Sequence, residues 1–127
     1  MPKPIGRSRA DEAERGSVTA EIAVALPALV LVIAVALWGV SAATAQVACV
    51  DAARAGARAA ARGEPLPAVR AAVIRSAPGG ARVTTSRAGD LVEVEVSVEL
   101  HAPALSRLPP LVVREHAVAA AEPGVSG

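Results

Sequence analysis

The stretch IAVALPALVLVIAVALWGV, residues 22–40, decides the fold class because it is apolar from end to end. It lies within 29 residues, Ile22 to Val50, that carry no formal charge. As a helix that segment would be about 44 Å long, against about 30 Å for the hydrocarbon core of a bilayer. Trp38 lies near its far end, where an aromatic ring suits a membrane–water interface. The stretch therefore predicts a single transmembrane helix.

Polar sequence flanks the apolar segment on both sides. Residues 1–16 contain two prolines and two glycines and show no periodic pattern, so we expect a flexible leader. Beyond the segment, an alanine-rich run continues the helical pattern as far as a stop signal at Gly63. We therefore expect one helix over residues 17–62. Residues 17–45 would cross the membrane and residues 46–62 would extend out of it.

Three arginines of that extension recur every fourth residue, a spacing that keeps neighbours on one side of a helix. We call Arg54, Arg58 and Arg62 the basic ridge. It is interpreted as a solvated face, or else as a contact for lipid head groups or acidic patches of other subunits.

Cys49 is interpreted as a small residue of the helix face at the outer membrane edge, with an intermolecular disulfide to a second copy as the alternative.

Residues 63–127 form the candidate folded domain. The run LVEVEVSVEL, Leu91–Leu100, alternates between valines, ending in Leu100, on one face and mostly glutamates on the other. Further strands are predicted over residues 81–87 and 111–121, and a short helix over residues 67–77. The pattern predicts an α+β fold in which a three-stranded antiparallel sheet has its valine face covered by the short helix or by the exposed part of the long one.

Composition and motifs argue against several functions. Lysine and arginine number 13 and aspartate and glutamate 12, so bulk charge does not favour a nucleic-acid partner. Aromatic residues are 1%, which removes the usual stacking platforms for single-stranded nucleic acid and sugars. The sequence has no nucleophile elbow and no Gly-rich phosphate loop, and His101 and His116 would need a third ligand to hold a metal. We expect no enzyme activity, cofactor, metal or small-molecule substrate.

Glu21 is the only charged residue between Arg15 and Asp51, and it lies at the edge of the apolar helix. One interpretation is an acid of the first turn that complements the helix dipole. The other is that a carboxylate at the membrane edge is costly and is present in order to pair with another group.

The string RGSVTAEIAVALP, residues 15–27, resembles a prepilin-type leader, and more closely the TadE-like proteins, the minor pilins or pseudopilins of tight-adherence pilus systems. The run CVDAARAGARAAARGEP, residues 49–65, resembles the second half of TadE-like helices from actinobacteria. Ile22 departs from the aromatic residue that many prepilins have there. The family pattern of a glycine, small residues, glutamate, apolar residues and a proline is matched by Gly16, Ser17, Thr19, Ala20, Glu21, Ile22, Ala23, Leu26 and Pro27.

The resemblance implies cleavage between Gly16 and Ser17 by a membrane-embedded prepilin peptidase at the cytoplasmic face. It also implies that Glu21 neutralises the new α-amino group of a neighbouring subunit. The protein would be a non-catalytic, single-pass component of pilus assembly in the cell membrane, with a cytoplasmic N-terminus and an extracytoplasmic C-terminal domain. Its partners would be the lipid bilayer, the peptidase, other pilin or pseudopilin subunits and the pilus assembly platform.

Two other interpretations stay open. The sequence Ala43-Thr44-Ala45 fits the small-residue rule for signal peptidase, which would release a small secreted protein starting at Gln46. Alternatively, the chain is an unprocessed single-pass anchor that holds a small interaction domain.

Overall fold

The computed structural model describes residues 8–103 and 105–121. Their strands form one antiparallel sheet in the order β1-β2-β3. The expected α+β fold, with a long N-terminal helix, a short helix and a three-stranded sheet, is confirmed. The elements are α1 (Arg9–Ala61), α2 (Leu66–Ser76), β1 (Arg82–Ala88), β2 (Leu91–Leu100) and β3 (Leu111–Ala120).

The chain divides into two compact units between Leu37 and Trp38. The described part of the first unit is helical, and its large apolar side chains are exposed. Helix α1 is long and apolar enough to cross a membrane, and no residue of its most apolar stretch is buried. It is therefore a candidate membrane anchor near the N-terminus. We call the second unit, which contains the sheet, the folded unit.

Helix α1 begins at Arg9, so the expectation of a flexible leader is wrong for residues 9–16. Residues 1–7 of that leader lie outside the described residues. The physical reason is a helix cap at Ser8, which leaves no periodic pattern in the sequence. The Oγ of Ser8 accepts a hydrogen bond from the backbone N–H of Asp11 at 3.4 Å, and the Asp11 carboxylate complements the positive helix end.

The end of α1 agrees with the predicted stop signal. Gly63 has a φ of 75°, a left-handed conformation that glycine adopts without steric cost. The backbone N–H of Gly63 donates to the carbonyl of Ala60 at 2.9 Å, and that of Glu64 to the carbonyl of Ala59 at 3.2 Å. This pair of bonds is a Schellman motif, which satisfies two carbonyls that the helix end leaves open.

The valine face of β2 is the centre of the core. Val92, Val94 and Val96 are completely buried, while Glu93 and Glu99 on the other face are exposed, which confirms the predicted alternation. Both of the expected covers contribute to this core. Helix α2 supplies Val69 and Val73, and α1 supplies Ala45, Cys49, Ala52, Ala53, Gly56, Ala59 and Ala60.

The buried face of α1 is made only of alanine, cysteine and glycine, which lets the helix approach its neighbours closely. At Gly56 a Cβ atom would lie 2.5 Å from Cγ2 of Val73 and 3.1 Å from Cγ2 of Val94. Such separations leave no room for a side chain. Residues 46–62, which the sequence marks as an extension of the membrane helix, are thus part of the folded unit.

We expect Gly56→Ala to destabilise the folded unit, although alanine is the better helix former by about 1 kcal/mol. The new Cβ must displace the stiff side chain of Val73, and overpacking of this kind costs about 1–3 kcal/mol. In detergent micelles, trypsin should cut the arginines of the strands at a lower temperature than in the parent. Gly39→Ala is the matched control, because a Cβ there meets nothing within 4 Å. Identical digestion profiles for both variants would contradict the close packing.

Candidate functional site

The residues of the prepilin-like motif lie together on α1. Gly16, Ser17 and Glu21 are exposed, and Ser17 and Glu21 share one side of the helix because they are four residues apart. A Cβ at Gly16 would meet nothing within 4 Å, so no other part of the described chain limits access to this bond. The bond between Gly16 and Ser17 is helical, and a peptidase would have to unwind it locally.

The basic ridge is divided in the structure. Arg54 and Arg58 are exposed on α1, whereas Arg62 lies just beyond its last residue. The Nη2 atom of Arg62 lies 2.6 Å from Oε1 of Glu64, and its Nε donates to the same oxygen at 2.9 Å. An exposed ion pair of this kind contributes about 1 kcal/mol or less. It partly neutralises Arg62, so the ridge amounts to two exposed arginines and one paired arginine.

Cys49 faces the sheet and is completely buried. Burial raises the pKa of its thiol, and the negative charge of Glu115 raises it further. A disulfide to a second copy needs an exposed Sγ atom, and the side chain of Cys49 is enclosed by the core. The placement therefore argues against the intermolecular disulfide, and it shows that Cys49 belongs to the core of the folded unit. The expected position of Cys49 at the outer membrane edge stays a prediction.

A polar contact beside Cys49 joins α1 to β3. The Nε2 atom of Gln46 donates a hydrogen bond to Oε1 of Glu115. Glu115 is half-buried and lies on the core side of β3, paired with Val96 of the middle strand. An acid on this face keeps its carboxylate at the rim of the core, where a donor from α1 satisfies one oxygen.

The opposite face of the sheet carries diagonal contacts between acidic and basic side chains. Oε1 of Glu93 lies 2.9 Å from Nε2 of His116, and Oε1 of Glu95 lies 3.6 Å from Nε of Arg114. His101 is exposed in the segment after β2. Among residues 8–103 and 105–121, no three His, Cys, Asp or Glu side chains are grouped so that they could hold a metal ion.

Two residues that organise the folded unit were missed by the sequence analysis. Gly56 gave a usable signal, because it lies on the same helical face as the small residues Cys49, Ala52 and Ala53. Glu115 also gave a usable signal. Side chains two residues apart on a strand share a face, so Glu115 lies on the same inner face as Val113. Their partners depend on how α1 crosses the sheet, which the sequence pattern does not determine.

The fold and these residues define the class of protein: a small chain in which an exposed, apolar N-terminal helix continues into an α+β unit that the helix helps to build. No family model matches the chain, and no solved structure matches it. It is 43% identical over 105 residues to a protein of Mycobacterium tuberculosis named apoptosis inhibitor Rv3655c. The alignment covers 82% of this chain and 78% of that protein. The chain belongs to the family of that mycobacterial protein.

We expect Cys49 to react with a thiol reagent far more slowly in the native chain than after unfolding. Its burial hides the sulfur, and its raised pKa delays thiolate formation to higher pH than for an ordinary thiol. The control is a Val47→Cys, Cys49→Ala variant, because Val47 is 60% exposed two residues away. Rapid labelling of native Cys49, or a Cys49-linked dimer under mild oxidation, would contradict its burial.

Proposed function

We propose that this protein is a TadE-like, membrane-anchored component of a tight-adherence pilus assembly system, and that it is not an enzyme. In this proposal α1 crosses the cell membrane with its N-terminus in the cytoplasm, and the folded unit lies outside. The role would be that of a minor subunit, an initiator or a tip component.

The observation that carries the proposal is the position of the motif relative to the apolar segment. Ser17 comes five residues before Ile22, where the uncharged stretch opens, and Gly16 directly precedes Ser17. Glu21 is exposed at the start of that stretch, one turn from Ser17. Cleavage after Gly16 would place a positive α-amino group and a carboxylate at the same membrane edge. Two charges that are costly alone in lipid become tolerable as a pair.

The packing of α1 supports an anchored protein over one released by signal peptidase. Ala45 is buried in the core of the folded unit, and the bond between Ala45 and Gln46 lies inside a continuous helix. Cleavage there would remove a core residue and would require the helix to unwind beside the sheet. The unprocessed single-pass anchor is compatible with the same packing and differs only in whether Gly16–Ser17 is cut.

The family relationship favours a second candidate function. The mycobacterial relative is named an apoptosis inhibitor, and the alignment includes most of this chain. An inhibitor of apoptosis must reach a cell that can undergo apoptosis, so this function requires release or display of the folded unit. The N-terminal residue of the membrane-extracted and secreted forms separates the cases: Ser17 for prepilin processing, Gln46 for secretion, and Met1 or Pro2 for no processing.

We expect Gly16→Val to block maturation in cells that carry a prepilin peptidase. A β-branched residue crowds the backbone where the enzyme must close on the scissile bond. On a gel, the variant should keep the residues before Ser17 and stay in the membrane fraction. Gly39→Val is the control, since that glycine is exposed on the same helix and lies far from the cleavage bond. Normal maturation of the Gly16 variant would contradict the pilin assignment.

We expect Glu21→Ala to leave membrane insertion intact, because it removes a charge that costs up to about 3 kcal/mol at mid-bilayer. It should reduce incorporation into assemblies with other pilin subunits, since the new amine of Ser17 loses its partner. Co-purification of tagged subunits measures this loss. Glu14→Ala is the control, because that acid would leave with the leader. Equal assembly of the Glu21 variant and the parent would favour the helix-dipole interpretation.

A further inference from the structure

The connection between β2 and β3, together with the first residue of β3, exposes three leucines. Leu105, Leu108 and Leu111 are 47%, 56% and 42% exposed. The backbone N–H of Leu108 donates to the carbonyl of Leu105 at 2.9 Å, which closes a tight turn. The turn brings those two leucines close together, with Arg107 between them in sequence. We call residues 105–111 the leucine loop.

The path of α1 shows which end of the sheet carries this loop. Gly56 packs against Val94, whereas Gln46 binds Glu115, the partner of Val96. The direction along α1 from Gly56 back to Gln46 therefore matches the direction along β2 from Val94 toward Leu100. The leucine loop follows Leu100 directly, and the turn at Gly89 and Asp90 lies at the opposite end of the sheet.

The leucine loop therefore lies toward the end of the folded unit at which that unit's own stretch of α1 begins. The first residue of this stretch, Trp38, is half-buried. No aspartate or glutamate occurs between Glu99 and Glu115, and the leucine loop carries one basic residue, Arg107. An acid-free loop that presents leucines around an arginine is matched in chemistry to an anionic lipid surface, with the leucines at the acyl boundary and the guanidinium group near phosphates.

We propose that the leucine loop inserts into the interface of the bilayer that α1 crosses, as a second membrane contact of the folded unit. Leu105 and Leu108 enter the boundary between head groups and acyl chains, and Arg107 pairs with lipid phosphates. The proposal rests on α1 being a membrane anchor. It does not depend on a role in pilus assembly.

The test uses the full chain in vesicles of phosphatidylcholine and phosphatidylglycerol, without any other protein. An environment-sensitive dye is attached to single cysteines in a Cys49→Ala background, at Leu108→Cys in the loop and at Asp90→Cys at the opposite turn. A third label, at Val30→Cys, reports on α1 itself. Each sample is measured with and without brominated acyl chains, which quench only dyes in contact with lipid, and each variant is first checked for native trypsin resistance.

The proposal predicts a blue shift and loss of emission at positions 108 and 30, and neither change at position 90. Quenching at 30 without quenching at 108 would overturn the loop contact and leave the anchor in place. A blue shift at 108 without quenching would assign the loop to a protein contact, such as a second copy, and would also overturn it. No quenching at position 30 would overturn the anchor, and with it the proposed function.

Discussion

Close packing of the small-residue face of α1 against the valine face of β2 holds the folded unit together. A three-stranded sheet needs a cover for its apolar face, and this chain has no Phe or Tyr to enlarge a core. Alanine, cysteine and glycine on α1 let the helix come close enough for Val73 and Val94 to meet its backbone at Gly56. Small residues on the helix and valines on the sheet are therefore complementary halves of one core.

This packing links the fold of the protein to its candidate anchor, because one helix serves both. The residues of α1 that complete the core begin at Ala45, shortly after the apolar segment ends. A cut after Ala45 would free the unit from the segment but would also disturb the first turn of the core. A cut after Gly16 would leave the whole core helix intact. The architecture thus argues against release of the folded unit by a cut after Ala45, and it is compatible both with the proposed processing at the leader and with an unprocessed anchor.

Local patterns predicted most of the fold. The alternation in Leu91–Leu100 identified both faces of β2, since a strand repeats every two residues, and Gly63 identified the end of α1. The early start of α1 was missed because a cap at Ser8 carries no periodicity. The contact between Gln46 and Glu115 was not predictable, because it depends on how α1 crosses the sheet. For the candidate motif, the sequence predicted that Ser17 and Glu21 share one helix, and the structure adds Gly16 to that helix.

Hydrogen exchange of the backbone amides, measured on the full chain in micelles, tests the central packing most directly. If α1 and the sheet form one core, the amides of α1 from Ala45 to Ala60 and those of β2 should exchange together. Both should speed up to the same extent when Gly56→Ala weakens the core. Exchange in β2 that accelerates while residues 45–60 keep the rate of the parent would show that the helix forms independently of the sheet, and would contradict the account.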